Sequence, residues 1–430
     1  MSTRRSRPRP VRVAVGRAGT AMSQWLSRPL TSLHLVLGVF GLLTLFGLVM
    51  VLSASSVESY TSGGSSYDVF TRQLMFCVPG LALFWLGLRI SPTRLRSLAP
   101  ASLVIGVVSL VAVLLIGTER GGAKAWIAIG GSFTVQPSEA VKVALTLWGA
   151  HVLVARRAVM HRWRYALSPV VPVTLLLLLL LVLQPDLGMT VTLGIVMIAL
   201  LFFAGAPMRL IAGISGGAVA GAVLLALSAD YRLARVMSFL NGTETDNLAA
   251  GYQARQALYS LADGGLLGVG LGQGSAKWSY LPNASNDFIF AIIGEELGFV
   301  GGFAVLALFA TLAYTGFRIA ARVKDPWLRL VVATSTTWLV AQAAINIGYV
   351  VGLLPVTGLQ LPLISSGGTS LVVTMFVFGM LANAARHEPE AVAVLRKQSR
   401  TGQGRLSRLL MLPAPEPYRA PAPRAAGRVR

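Results

Sequence analysis

Residues 281–302, LPNASNDFIFAIIGEELGFVGG, run from a polar segment with one aspartate straight into an apolar stretch that carries two glutamates. A carboxylate beside hydrocarbon is costly, so an acidic residue at the edge of a spanning segment marks a functional site by default. Read as one continuous helix at about 100° per residue, Asp287 shares a face with Gly294, Gly298 and Gly302, a small-residue ladder that lets another helix approach closely. Glu295 then falls about 80° round and roughly 12 Å deeper, with Glu296 on the far side. Of the two, Glu295 is the one expected to share a cavity with Asp287.

The whole chain fits this reading. It has 430 residues, 54% hydrophobic and 12% charged, with a mean hydropathy of +0.68, which excludes a soluble globular domain and defines a polytopic membrane protein. The net charge of +21 sits in the tails and in alternate loops, a pattern of membrane topology and anionic lipid contact, not of nucleic-acid binding. The single Cys77 lies in an apolar run, and His34, His151, His161 and His387 have no metal-ligand spacing, so neither a disulfide framework nor a metal site is expected.

Residues 1–32 are arginine-rich, hold no acid and read as a disordered basic cytoplasmic tail. The first apolar run, about 33–52, is long enough to span and too long for a signal-peptide core. Further spans are expected at about 70–88, 100–117, 138–155, 169–183, 189–204, 208–227, 288–316, 328–351 and 366–385. The fold expected is therefore all-α, a ten-helix membrane domain over 33–386, followed by a basic, proline-rich tail over 387–430.

Loop charges test the count. Arg89, Arg94, Arg96, then Arg156, Arg157, Arg162, Arg164, then Arg209, then Arg318, Arg322, Lys324, Arg329, and finally the tail from Arg386 all fall on one side. That alternation places both termini in the cytoplasm and the long loop 228–287, between helices 7 and 8, outside. Its length marks it as functional and partly helical. QPDLG (184–188) lies between two short spans that can also form one broken unit. PAPEPYRAPAPR (413–424) is expected to be disordered.

Six motifs carry a resemblance: GGAKAWIAIGGSFTVQPSEAVKVAL (121–145), QPDLGMTV (184–191), YRLARV (231–236), GYQARQALYSLADGGLLGVGLGQG (251–274), NDFIFAIIGEELG (286–298) and NIGYVVGLLPVTGLQLPLISSGGTS (346–370). In order and spacing the chain resembles the SEDS family of shape, elongation, division and sporulation proteins from about residue 30 to 390. RHEPEAVAVLR (386–396) and the preference for arginine over lysine are similar to its division branch in GC-rich bacteria.

What the resemblance implies is a peptidoglycan glycosyltransferase of the cytoplasmic membrane, at the division septum, that polymerises the undecaprenyl-pyrophosphate-linked precursor lipid II. Asp287 matches the family's essential aspartate. Glycosyl transfer from a pyrophosphate needs a base for the attacking hydroxyl and cations for the leaving group; residue chemistry alone leaves Asp287 equally readable as a helix cap. Lys142 lies a turn inside a span and must find a partner, either Glu139 on its own helix face or Asp287. Arg232 and Arg235 match a family arginine pair suited to pyrophosphate, or contact headgroups. Family members often carry adjacent basic residues before the tryptophan, whereas here Lys124 is followed by Ala125 and Trp126. Arg72 either holds a headgroup or snorkels. Asp186 reads as bonding local backbone. The segment 355–370 is glycine- and proline-rich at membrane depth and is expected to line the substrate groove.

The implied partners are lipid II, a single-span class B penicillin-binding transpeptidase (FtsI-like), other membrane proteins of the divisome and membrane lipid. A divalent cation is the one cofactor left open. A lipid II flippase, served by Glu295 and the QPDLG break, and a non-catalytic divisome scaffold are the alternative functions.

Overall fold

The computed structural model describes residues 28–61, 65–120, 122–130, 134–159, 167, 169–227, 249–275, 281–282, 284–401 and 410–418. In chain order the helices are α1 (Thr31–Thr61), α2 (Asp68–Arg89), α3 (Pro92–Ile116), α4 (Pro137–Ala155), α5 (Val170–Leu183), α6 (Leu187–Phe203), α7 (Met208–Leu227), α8 (Ala249–Gly264), α9 (Ile289–Arg322), α10 (Pro326–Val350), α11 (Gly368–Arg386) and α12 (Pro389–Thr401). Among the described residues α1 to α4 and α9 to α11 are long and apolar enough to cross a membrane, and α5, α6 and α7 hold shorter apolar helices. The seven longer helices fall where spans are expected, and the shorter three lie at the remaining expected positions without the length and apolarity that mark the seven. The segment between α3 and α4, expected as a loop, instead forms a small antiparallel sheet in the order β1 (Thr118–Arg120), β2 (Ala123–Ala128), β3 (Thr134–Val135).

Local chemistry sets several helix starts. Ser91 before Pro92 accepts from the Arg94 N–H at 3.4 Å, and Asp325 before Pro326 accepts from the Trp327 N–H at 2.9 Å; each is an N-cap followed by proline at the first helical position, where its missing N–H costs nothing. α4, α10 and α11 form the enclosed centre, while α2 and α3 keep most of their apolar surface outward, as lipid requires. α2 and α11 are the closest-packed pair. Their main chains touch where Gly87 lies on Phe376–Met380 and Gly379 on Phe84, the close approach small residues permit.

α9 corrects the geometry assumed for residues 281–302. The helix begins at Ile289, so Asp287 lies in the preceding turn and not on its face. At Gly298 the backbone leaves helical geometry (φ +67°, ψ −164°), a left-handed value that favours glycine. The backbone groups freed by this kink are paired by the loop after α8. Val269 and Gly270 N–H donate to the Glu295 and Glu296 carbonyls (both 3.0 Å), while Phe299 and Val300 N–H donate to the Gly265 and Leu266 carbonyls (2.9 and 3.2 Å). Such a break is tolerated at membrane depth only when its polar groups are re-satisfied. The glycines 294 and 298 do admit a close neighbour: Gly264 lies on Gly294, and Leu266 and Gly268 on Gly298.

Two described parts of the C-terminal segment pack on the bundle. α12 buries Ala391, Val392 and Leu395, and Arg322 binds Glu388 (3.1 Å) and Glu390 (2.6 Å). Residues 410–418 lie across the ends of α2 and α11, where the Leu410 carbonyl accepts from Trp85 Nε1 (2.9 Å) and the Pro413 carbonyl from Arg386 Nη2 (2.6 Å). Apolar side chains facing inward (Leu410, Leu412, Pro415) hold residues 410–418, which take in the start of the 413–424 stretch expected to be disordered.

Candidate active site

Asp287 sits in the turn that leads into α9, half-buried. The N-cap position is Phe288, one residue later, and it has no side-chain cap. What fixes the turn is α10. Asn346 Nδ2 donates to the Asp287 main-chain carbonyl (2.9 Å) and Tyr349 Oη lies 2.9 Å from the same oxygen. The same two groups reach the Leu359 carbonyl, at 2.6 and 2.7 Å. The Phe288 ring stands edge-on to Tyr349 with centroids 5.7 Å apart.

Leu359 belongs to the irregular segment between α10 and α11, whose backbone is held from several sides. Gln342 Nε2 donates to the Gln360 carbonyl (2.9 Å), Gln73 Nε2 to the Ser365 carbonyl (3.2 Å), and the Ser366 N–H to the Ser285 carbonyl (2.9 Å). Buried amide side chains thus replace the secondary structure this segment lacks. Gly358 has φ +72°, and a Cβ added there would lie 3.7 Å from Asp287 Oδ2.

These pieces enclose a cavity of about 580 Å³. Its walls are the first turns of α2 (Arg72, Gln73), the sheet (Trp126), the turn between α5 and α6 (Asp186), the Asp287 turn and residues 357–360 and 366–370. Charged lining groups among the described residues are Arg72, Asp186 and Asp287. The helices α2, α4, α6, α9 and α11 all begin at this cavity. Their N-terminal dipole ends favour an anion there. The opposite helix ends carry Arg89, Arg94, Arg156, Arg318 and Arg322.

The other expected site residues are placed as follows. Lys142 is fully buried in α4, with Nζ 2.9 Å from Glu139 Oε2, 3.0 Å from Gln342 Oε1 and 4.7 Å from the Trp338 ring centroid. It adjoins the cavity wall indirectly, through Gln342 and the Gln360 carbonyl. Lys124 is spent on helix α3: Nζ donates to the Leu114 and Leu115 carbonyls at 2.8 and 3.3 Å, a cation on a C-terminal turn. Arg72 lines the cavity with Asp287. Glu295 does not; its Oε1 accepts from the Ser275 N–H (2.5 Å) and hydroxyl (3.0 Å), and Glu296 accepts from Ser53 Oγ at 2.6 and 2.7 Å. Both glutamates tie neighbouring segments to the kinked helix. The expectation that Glu295 shares the cavity failed because it rested on one unbroken helix running through Asp287. Arg232 and Arg235 lie outside the described residues.

Asp186 does more than local bonding. Its Oδ1 caps α6 by accepting from the Met189 N–H (3.0 Å), and its Oδ2 accepts from Gln136 Nε2 (3.0 Å). Burial pushes the Asp186 carboxyl, in the turn outside both helices, above its ordinary value against the pull of these two donors. The signals available in sequence were the QPD interruption between short spans and, for Asn346 and Tyr349, two polar groups three residues apart near the end of an apolar helix.

A bundle of apolar helices with a polar, carboxylate-bearing cavity at the end opposite Arg89, Arg94, Arg156, Arg318 and Arg322 defines a multi-pass membrane protein with a candidate active site at one end of the bundle. The profile of the FtsW, RodA and SpoVE family, described as "Cell cycle protein", matches residues 33–390, and the chain belongs to that family. It is 52% identical over 407 residues to the probable peptidoglycan glycosyltransferase FtsW of Mycobacterium tuberculosis, covering 94% of this chain and 77% of that protein. It is 37% identical to stage V sporulation protein E of Bacillus subtilis, covering 83% of this chain and 98% of that protein. Among solved structures, a chain of a peptidoglycan synthase complex that coordinates polymerization and crosslinking matches with a TM-score of 0.67 at 29% identity, covering 85% of this chain and 99% of that one. The rod shape determining protein RodA of Thermus thermophilus matches with a TM-score of 0.61 at 28% identity, covering 85% and 99%.

Proposed function

We propose that this protein is a peptidoglycan glycosyltransferase that polymerises lipid II during septal wall synthesis, with Asp287 as its base. The observation that carries the reading is the Asp287 carboxylate in a polar cavity onto which five helix N-termini converge. In the reaction the acceptor hydroxyl forms a new C–O bond at the donor's anomeric carbon as the bond to pyrophosphate breaks. Asp287 takes the hydroxyl proton. The pyrophosphate departs as an anion toward Arg72 and the helix N-termini, charges already oriented before it forms. Arg232 and Arg235 belong to the same role on the strength of the family motif.

The cavity's end of the bundle is the extracytoplasmic one in the charge-derived topology, with ten spans over 33–386, both termini in the cytoplasm and 228–287 outside. That is the face on which lipid-linked precursors are polymerised, and the division septum is the site implied by the relatives named FtsW. The peptidoglycan synthase complex among the structural relatives, which coordinates polymerization and crosslinking, supports a class B transpeptidase partner. A flippase draws no support from Glu295, which is bonded to Ser275 away from the cavity.

Purified protein given labelled lipid II in detergent, where no leaflet has to be crossed, tests the reading. Glycan chains are the expected product. Transport of lipid II across sealed vesicles without polymer in either setting would overturn it.

A further inference from the structure

Resting on the reading of Asp287 as the base, we infer that Asn346 and Tyr349 are positioning residues, a two-residue clamp that sets the Asp287 carboxylate against the loop 357–360. Both come from α10, one turn apart, and both are buried. Between them they reach two main-chain carbonyls from opposite walls of the cavity: Asp287 before α9 and Leu359 after α10. Asn346 Nδ2 also lies 2.6 Å from Tyr349 Oη. The amide brings two protons and the phenol one, and they face three acceptors, the two carbonyls and the phenol oxygen. The amide orientation follows from those partners, because the reverse would aim Oδ1 at two carbonyl oxygens.

The geometry makes this more than core bonding. The clamped carbonyl belongs to Asp287 itself, and the other belongs to the residue after Gly358, whose Cα side faces Asp287 Oδ2. Losing the clamp frees the turn and the loop to separate without touching any group that binds substrate. A displacement of the order of 1 Å at a reacting group costs about a hundredfold in rate.

The test compares Asn346→Leu and Tyr349→Phe with Asn383→Leu. Asn383 is likewise buried and bridges two carbonyls, Gly87 and Ile90, at 2.9 and 2.6 Å, but at the other end of the bundle. Tyr349→Phe keeps the ring against Phe288, so it folds even if the leucine variant does not. Lipid II polymerisation is measured per folded protein in detergent, with kcat and KM separated. The expected result is a kcat lower by about a hundredfold for Asn346→Leu and about tenfold for Tyr349→Phe, KM within about twofold of wild type, and wild-type kcat for Asn383→Leu. Asn346→Gln, which keeps the amide, should recover part of the loss. Wild-type kcat in Tyr349→Phe and in whichever Asn346 variant folds, or equal losses in all three sites tracking melting temperature, would overturn the clamp while leaving Asp287 in place. Asp287→Asn with full activity would instead remove the reading on which it rests.

Discussion

Gly358 faces Asp287 across the cavity wall: a Cβ added to it would stand 3.7 Å from Asp287 Oδ2, and its φ of +72° is one an L side chain rarely adopts. Two consequences separate in Gly358→Ala. The left-handed backbone costs on the order of 1–2 kcal/mol, and the methyl displaces whatever the carboxylate binds. Turnover per folded protein should therefore fall by more than the melting temperature accounts for. A variant that loses stability but keeps wild-type turnover would show that Gly358 serves the turn alone.

The buried ion pair of Lys142 and Glu139 is the second target. Lys142→Met strands Glu139 in a dry interior and releases Gln342 from one of its partners. Removing one member of such a pair costs about 3–5 kcal/mol. The double variant Lys142→Met with Glu139→Gln should recover much of that stability, read as melting temperature in detergent. If Lys142 also serves Asp287, Lys142→Met should damage turnover far more than Glu139→Gln at equal folded protein, and activity losses that simply follow melting temperature would leave it a structural residue.

Much of this was legible in sequence and some was not, for physical reasons. The longer spans were readable because apolar runs near 20 residues have few alternatives in a membrane, so Pro137–Ala155 and Pro326–Val350 fall where composition puts them. Asp287 was readable because a carboxylate there is expensive. The kink at Gly298 was not, since glycine in a spanning helix serves equally as a packing notch, and only the partners of the freed backbone groups decide. Lys124 was misjudged for a similar reason: its charge is spent on α3 carbonyls that no linear motif reveals. Asn346 and Tyr349 act through the carbonyls of distant residues, a relationship that exists only once the chain has folded.

Glu388 gives a pH dependence on the other membrane face. Burial pushes its carboxyl above the ordinary value, although Ser32 and Arg322 pull it down. A raised folded value means the native state holds the proton more tightly, so the contribution is full below the unfolded value near 4.3 and is lost as pH rises through the folded one. The stability of wild type relative to Glu388→Gln should decline as pH rises above about 4.5 and through the raised folded value. A difference in melting temperature that stays flat across that range would contradict it.

Topology is open to cysteine labelling on a Cys77→Ser background. Ten spans place Asn241 and Ser275 outside and Ser97 and Ser407 inside. An impermeant maleimide added to intact cells should modify the first two and reach the others only after permeabilisation. Labelling of Asn241 solely in opened cells would put the cavity in the wrong compartment.

The central claim is that one carboxylate takes the proton. Asp287→Asn keeps the size of the side chain and its main-chain carbonyl, and so leaves the Asn346 and Tyr349 contacts available, but it removes the base. Polymerisation of labelled lipid II by the purified variant, beside wild type at equal folded protein and with the transpeptidase partner both present and absent, is the direct measurement. The expected result is loss of glycan chains with insertion, melting temperature and partner co-purification unchanged. Substantial polymer from Asp287→Asn would contradict the account.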